Sequence, residues 1–176
     1  MNEVLQAMKN RFSTRGYTGE KLTEEELKTL LDAGMQAPTA TNRQEIHFTV
    51  LDGDNPLLME MQEEMLKDRP GMKSDNSFYY GAPTFILLSG EEAFGWSAVD
   101  AGIAVQNIAL AAEALGLGSV IIGCIKGALT GERRDYFSKA LKLPEGFIYR
   151  VAIAVGHKAA TKEPHEYSAE KSVTCL

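Results

Sequence analysis

Arg11-Phe12-Ser13-Thr14-Arg15 and, one predicted helix later, Ala37-Pro38-Thr39-Ala40-Thr41-Asn42-Arg43-Gln44 are the stretches on which the reading of this chain turns. In the first, two guanidinium groups flank a hydroxyl. Arginine stays charged at any working pH, and its planar fork of donors matches a phosphate, so the pattern points to a phosphoester. The second stretch opens on proline and carries the hydroxyl and amide side chains that a sugar or polyol chain accepts as partners. Taken alone, the first is equally a solvated basic turn closing a helix, and the second a loop after a helix, where proline and short polar residues gather. Together they suggest the site of a phosphorylated cofactor.

The elements around these loops follow from periodicity. Val4, Leu5 and Met8 recur at helical spacing, which predicts a short amphipathic helix over residues 2–10 leading into the first loop. Thr23 with Glu26 three residues on forms a capping box. It opens a helix with Leu27, Leu30, Leu31 and Met35 on one face, and Pro38 ends it. Ile46, Phe48 and Val50 alternate with His47 and Thr49, the period of a strand. Asn55-Pro56 opens a helix running to Lys67, residues 70–80 read as a loop, and Thr84-Phe85-Ile86-Leu87-Leu88 reads as a buried strand.

From Ser97 to Leu115 nearly every residue is small or aliphatic, which predicts a helix covered round most of its circumference. Burial inside one chain or a second copy could supply that cover. Gly116-Leu117-Gly118 is expected to stop the helix, and a strand at 120–122, a helix at 133–141 and a strand at 149–155 follow. The order predicts an α+β fold, helices around a central sheet, in one domain over residues 1–176.

Composition narrows the function. A net charge of −6 argues against broad contact with nucleic acid or anionic membrane, so a phosphate must be met by local cations. Cys124 and Cys175 stand far apart without a CxxC or Cys/His cluster, as expected of reduced thiols. There is no run of signal-peptide or membrane-span length, and a soluble cytoplasmic protein is expected. His47, His157 and His165 lack partners at metal or triad spacing, so no metal is expected. Ser89-Gly90 does not make the GxSxG of a hydrolase. The glycines at 116 and 118 follow a helix and open a strand, the reverse of the order a dinucleotide fingerprint needs.

The chain resembles the FMN-dependent nitroreductase family. Four motifs carry the resemblance in order: Arg11–Arg15, Ala37–Gln44, Tyr80-Gly81-Ala82-Pro83 ahead of an apolar strand, and the alanine-rich Asp100–Gly118 before Val120-Ile121-Ile122-Gly123. The resemblance implies a nitroreductase-like fold with a central, mostly antiparallel sheet surrounded by helices, in an intertwined homodimer with FMN at the subunit interface. It implies that Arg11, Phe12 and Ser13 form the phosphate loop and that Arg15 lies under the pyrimidine end of the flavin. Pro38, Thr39, Ala40, Asn42 and Gln44 are then supplied by the partner subunit. Ile121, Ile122, Gly123 and Cys124 pass along the ring, with backbone N–H groups of Gly123 or Cys124 directed at N5 and O4. A basic tail residue meets the phosphate, and Lys171 is preferred over Lys158 and Lys162.

The activity so implied is that of an NAD(P)H oxidoreductase passing hydride through flavin N5 to small acceptors such as nitroaromatics or quinones, in ping-pong order. No protein acid or base is required, because positioning does most of the work. Other branches of the family, such as enoate reductases, dehalogenases or flavin-fragmenting enzymes, and a non-catalytic flavin carrier or sensor, stay open. Phe78, Tyr79, Tyr80 and Trp96 could each shape the open flavin face or belong to the core.

Overall fold

The fold is given by a computed structural model, which describes residues 2–67, 69, 77–164, 166 and 172–175. Helix α1 (Glu3–Asn10) is capped by the Asn2 side chain, which accepts from the Leu5 N–H. Helix α2 (Glu24–Met35) starts on the expected capping box, with Thr23 and Glu26 each accepting from the other's backbone N–H. Strand β1 (His47–Asp52), helix α3 (Pro56–Lys67), strand β2 (Thr84–Glu91) and helix α4 (Ser97–Ala114) follow. The chain ends its ordered elements with β3 (Leu117–Ile122), α5 (Lys126–Thr130), α6 (Arg134–Ala140) and β4 (Phe147–His157).

The four strands form one antiparallel sheet in the order β1-β2-β4-β3, which leaves β1 and β3 as its edges. Alternation along the two central strands gives it two apolar faces. Phe85, Leu87, Ala152 and Ala154 meet α3, α5 and α6, while Ile86, Leu88, Ile153 and Val155 meet α2 and α4. The sheet is therefore filled on both sides, as the unbroken apolar run of β2 requires.

Three sequence expectations change. Gly116 alone ends α4, with φ of 77° that suits glycine, and β3 already begins at Leu117. Gly118 sits inside that strand: a Cβ there would lie 2.6 Å from Thr14 Oγ1. It is thus a site of close chain approach, and not a helix stop. β4 is longer than 149–155 and takes in His157. Helix α5, five residues long, is too short for its sequence to show a helical period.

The cover of α4 is incomplete within one chain. Ala101, Ala104, Val105, Ile108, Ala109 and Ala112 are buried, whereas Val99 is 49% and Ile103 37% exposed. The flank carrying those two residues faces outward.

Candidate cofactor site

The first matched loop lies across the β3 edge. Arg11 follows α1, donating its N–H to Ala7 O. Ser13 then bridges Ser119, and the Thr14 N–H donates to Ser119 O at 2.9 Å. Thr14 is buried against Gly118, so glycine at 118 sets how closely the loop approaches the sheet. Tyr17 adds a second anchor: its half-buried hydroxyl lies 3.1 Å from Thr14 O and 3.3 Å from Ala154 O, and burial pushes its pKa well above the ordinary phenol range. The Thr18 N–H donates to His157 O at 3.0 Å.

This backbone scaffold leaves its cations outward. Arg15 is exposed, with its guanidinium 5.7 Å from the centre of the Tyr80 ring. Among the described residues neither Arg11 nor Arg15 enters an ion pair, whereas Arg43, Arg133 and Arg134 all do. Phe12 is half-buried, with the Lys158 ammonium 5.7 Å from its ring centre. Lys158 itself is engaged by both carboxylate oxygens of Glu113, at 3.1 and 3.2 Å. Its charge is already answered by a carboxylate, which separates it from Arg11 and from Arg15, whose guanidinium reaches the Ser13 carbonyl at 3.4 Å.

The end of β3 belongs to the same edge. Ile121 is 41% exposed and Ile122 buried, and Tyr149 donates its hydroxyl to Ile122 O at 2.6 Å. Gly123 and Cys124 lie just beyond the last paired residue of the ladder, Ile122. Burial raises the Cys124 thiol pKa, which keeps it protonated.

The second matched loop stands on the opposite edge, before β1. Thr39 precedes a single 3-10 turn, Ala40–Asn42, and Thr41, Asn42 and Gln44 take left-handed φ values of 55°, 56° and 54°. Side chains hold this backbone in place. The Ala40 N–H donates to the buried Asp100 carboxylate, 3.1 Å from each oxygen, and the Gln44 N–H donates to Thr39 Oγ1 at 2.9 Å. Arg43 pairs with Glu91 and lies 4.2 Å over the Phe94 ring. Pro38 is exposed beside this turn.

One chain therefore does not bring its two loops together. With β2 and β4 between the edges, three strand spacings of about 4.8 Å put the edges roughly 14 Å apart. The cavities at the 37–44 loop include no residue of 11–15 or 121–124 in their walls. Of the four aromatic candidates, Phe78 and Tyr79 are core residues, packed edge-on with Phe85. Tyr80 accompanies Arg15, and Trp96 is 59% exposed. Lys171 and His165 lie outside the described residues.

A model of the family described as "Nitroreductase family" matches residues 8–157. The chain belongs to the nitroreductase family. A nitroreductase with bound FMN from Desulfitobacterium hafniense has the same fold at a TM-score of 0.88 and 33% identity, covering 100% of this chain and 99% of its own. Another with bound FMN, from Bacteroides fragilis, aligns at 0.89 and 26% identity over both full chains. In sequence, this nitroreductase-family chain is 32% identical to a putative NADH dehydrogenase/NAD(P)H nitroreductase of Methanothermobacter thermautotrophicus over 163 residues, 89% of this chain and 78% of that protein. It is 27% identical to an FMN reductase (NADPH) of Bacillus subtilis over 90% of its own length and 67% of the other's.

Asp100 and Glu113 each hold a neighbouring segment in place, a part that no local pattern of this family member singles out. Each is a carboxylate on a helix dominated by small and aliphatic residues; Asp100 holds Ala40 within the 37–44 loop, and Glu113 holds Lys158 just after β4.

Proposed function

We propose that this chain is an FMN-dependent NAD(P)H oxidoreductase that works as a homodimer, each cofactor held by the 11–15 loop of one protomer and the 38–44 loop of its partner. The observation that carries the reading is the placement of these loops on opposite edges of one sheet. Two motifs expected to touch one cofactor then need two chains. The exposed Val4, Leu5 and Met8 of α1, together with the open flank of α4, offer the apolar surface for such pairing.

The residues present fit a flavin phosphate. Arg11 and Arg15 lie outside any ion pair among the described residues, and Arg11 flanks the Ser13 hydroxyl. Arg11 and Ser13 bind the phosphate, and Phe12 gives the loop its packed side. Arg15 supplies positive charge to the ring, while Pro38, Thr39, Ala40, Asn42 and Gln44 supply the partner's polar wall. Ile121, Ile122, Gly123 and Cys124 form the rim, their backbone N–H groups serving as donors, and Lys171 adds a further cation from the tail. When bound, FMN accepts a hydride from NAD(P)H and gives it to a small acceptor such as a nitroaromatic or a quinone. Residues 1–176 act as one flavin domain, and the free thiols of Cys124 and Cys175 suit a reducing cytoplasm.

Subunit mixing tests the shared site. Arg11→Ala and a Thr39→Ala/Asn42→Ala double variant are each expected to bind FMN about 10- to 100-fold more weakly as homodimers, and to stay largely colourless at an FMN concentration that saturates wild type. In a heterodimer one site carries both lesions and the other carries none, so random exchange restores about a quarter of the sites. No return of flavin absorbance on mixing would place both loops at one chain's own site and defeat the shared arrangement. NAD(P)H should then bleach the yellow protein anaerobically; a yellow protein that it never bleaches is a carrier.

A further inference from the structure

Away from both loops, a cavity of about 300 Å³ lies between the start of β4 and helices α5 and α6, at the lower end of small-molecule sites. Four charged side chains stand in its wall: Lys126 from the start of α5, Arg134 from α6, Arg150 from β4 and Glu92 from the turn after β2. No residue of 11–15, 38–44 or 121–124 belongs to that wall. Three cations thus gather with a single carboxylate, on a chain whose net charge is −6.

The cations are unequally engaged. Arg134 gives both ends of its guanidinium to Glu92. Its hydrogen bonds hold the Glu92 carboxyl below the usual range, with the Arg134 and Arg150 charges adding to them. Lys126 enters no ion pair among the described residues, whereas Lys21, Lys28, Lys67 and Lys158 each do. Arg150 meets only main chain, donating to Glu91 O at 2.8 Å, while the Glu91 carboxylate is taken by Arg43. The Arg150 Nε–H is buried without an acceptor. Buried donors are nearly always partnered, so an orphan of this kind points to an acceptor from outside the chain.

We infer that this cavity is an anion site, separate from the flavin, and that it takes a phosphate group held by Lys126, Arg150 and Arg134. Three cations less one carboxylate leave two positive charges, which match a phosphate of about −1.5 to −2 better than a carboxylate of −1. Lys126 supplies a charge with no rival partner, and Arg150, turned toward the cavity, supplies the donor it leaves unused. Tyr149 ties the site to the flavin rim, for it lines the cavity and donates its hydroxyl to Ile122 O at 2.6 Å. A phosphate seated there braces α5 against β4 directly behind residues 121–124. Free orthophosphate and the phosphates of a dinucleotide share this chemistry; only the second source rests on the flavin reading above.

Calorimetric titration of the holoenzyme, freed of excess FMN, with orthophosphate against sodium chloride at equal ionic strength tests this. Saturable binding is expected, and Lys126→Ala should weaken it about 10- to 100-fold, the loss of one charge-assisted hydrogen bond. Lys126 is exposed and outside any ion pair among the described residues, so its replacement should leave Tm unchanged. Lys126→Arg should keep most of the affinity, and Glu92→Gln should tighten it about 2- to 5-fold by removing the one negative charge. If the phosphate arrives on a dinucleotide, orthophosphate competes with NAD(P)H and Lys126→Ala raises its KM. If it arrives free, that KM is the same in variant and wild type. Neither heat nor a rise in Tm beyond the chloride control, or binding that Lys126→Ala leaves unchanged, would overturn the inference. Protein that takes up no FMN would defeat the flavin reading alone, since the same titration with the same variant still decides the phosphate site.

Discussion

The two edges of the sheet carry two halves of one proposed site, yet they are held by opposite means. At the β3 edge the 11–18 segment is fixed mainly through backbone, by the Ser13–Ser119 bridge, the Thr14 and Thr18 N–H bonds and a glycine that lets the chains touch, with the Tyr17 hydroxyl added against Thr14 O and Ala154 O. At the β1 edge the 38–44 loop adopts three left-handed residues, none of them glycine, and depends on Asp100, Thr39 and Arg43 to stay there. Such conformations cost about 1–3 kcal/mol each and persist only where the surroundings over-determine them. The cation edge presents two arginines that enter no ion pair among the described residues, the Arg15 guanidinium reaching only the Ser13 carbonyl at 3.4 Å. The loop edge spends its side chains on its own shape.

This contrast predicts where damage falls. Arg11→Ala should leave stability near wild type and weaken FMN about 10- to 100-fold, the loss of a charge-assisted hydrogen bond of about 1.5–3 kcal/mol. Equilibrium titration with FMN beside a melting curve measures both; a large fall in Tm would show that Arg11 is part of the scaffold. Asp100→Ala should do the reverse. It strands the Ala40 N–H beside a buried gap, at a cost of about 1–3 kcal/mol, and loosens the strained loop. Faster hydrogen exchange at Ala40 with Thr14 unchanged is the expected signature.

Gly118→Ala probes the other edge. A Cβ 2.6 Å from Thr14 Oγ1 and 2.7 Å from its methyl must push the loop outward, and overpacking of this kind costs about 1–3 kcal/mol. The Thr14 amide should then exchange faster while Ala40 keeps its protection. Unequal response of the two amides in these two variants is what the comparison requires, and parallel loss at both would dissolve it.

Much of this was legible in the chain itself. The capping box placed α2 and the apolar run placed β2, because in both the local signal agrees with the final packing; alternation placed β1 as a strand, although Val50 is exposed and Leu51 is the residue it buries. β3 was read too short because Gly118 resembles a stop, and only the arrival of Thr14 from a hundred residues away explains it. The residue types of the two loops showed what they could bind. Their placement on opposite edges was not readable, since it follows from the strand order β1-β2-β4-β3, a long-range property that no local pattern encodes. Asp100 was quoted as part of an alanine-rich helix, and its tether to Ala40 likewise exists only in three dimensions.

The smallest expected effect serves as the control between the edges. Helix α2 joins the two loops, and Thr23 caps it, accepting from the Glu26 N–H at 3.2 Å, while Glu26 accepts from the Thr23 N–H and hydroxyl. Thr23→Ala should cost about 1 kcal/mol, spread over both loops and not concentrated in either. These hydrogen bonds hold the Glu26 carboxyl below its usual range, the Thr23 N–H contributing most. A lowered folded pKa gives stability that is complete above the ordinary glutamate value of about 4.3 and is lost as pH falls through the folded one. The gap in stability between wild type and Glu26→Gln should therefore be widest near neutral pH and close on acidification below about pH 4. A gap that stayed constant with pH would mean that packing, and not the carboxylate's charge, holds the start of α2, and the helix could then no longer stand as a neutral reference for the two edges it connects.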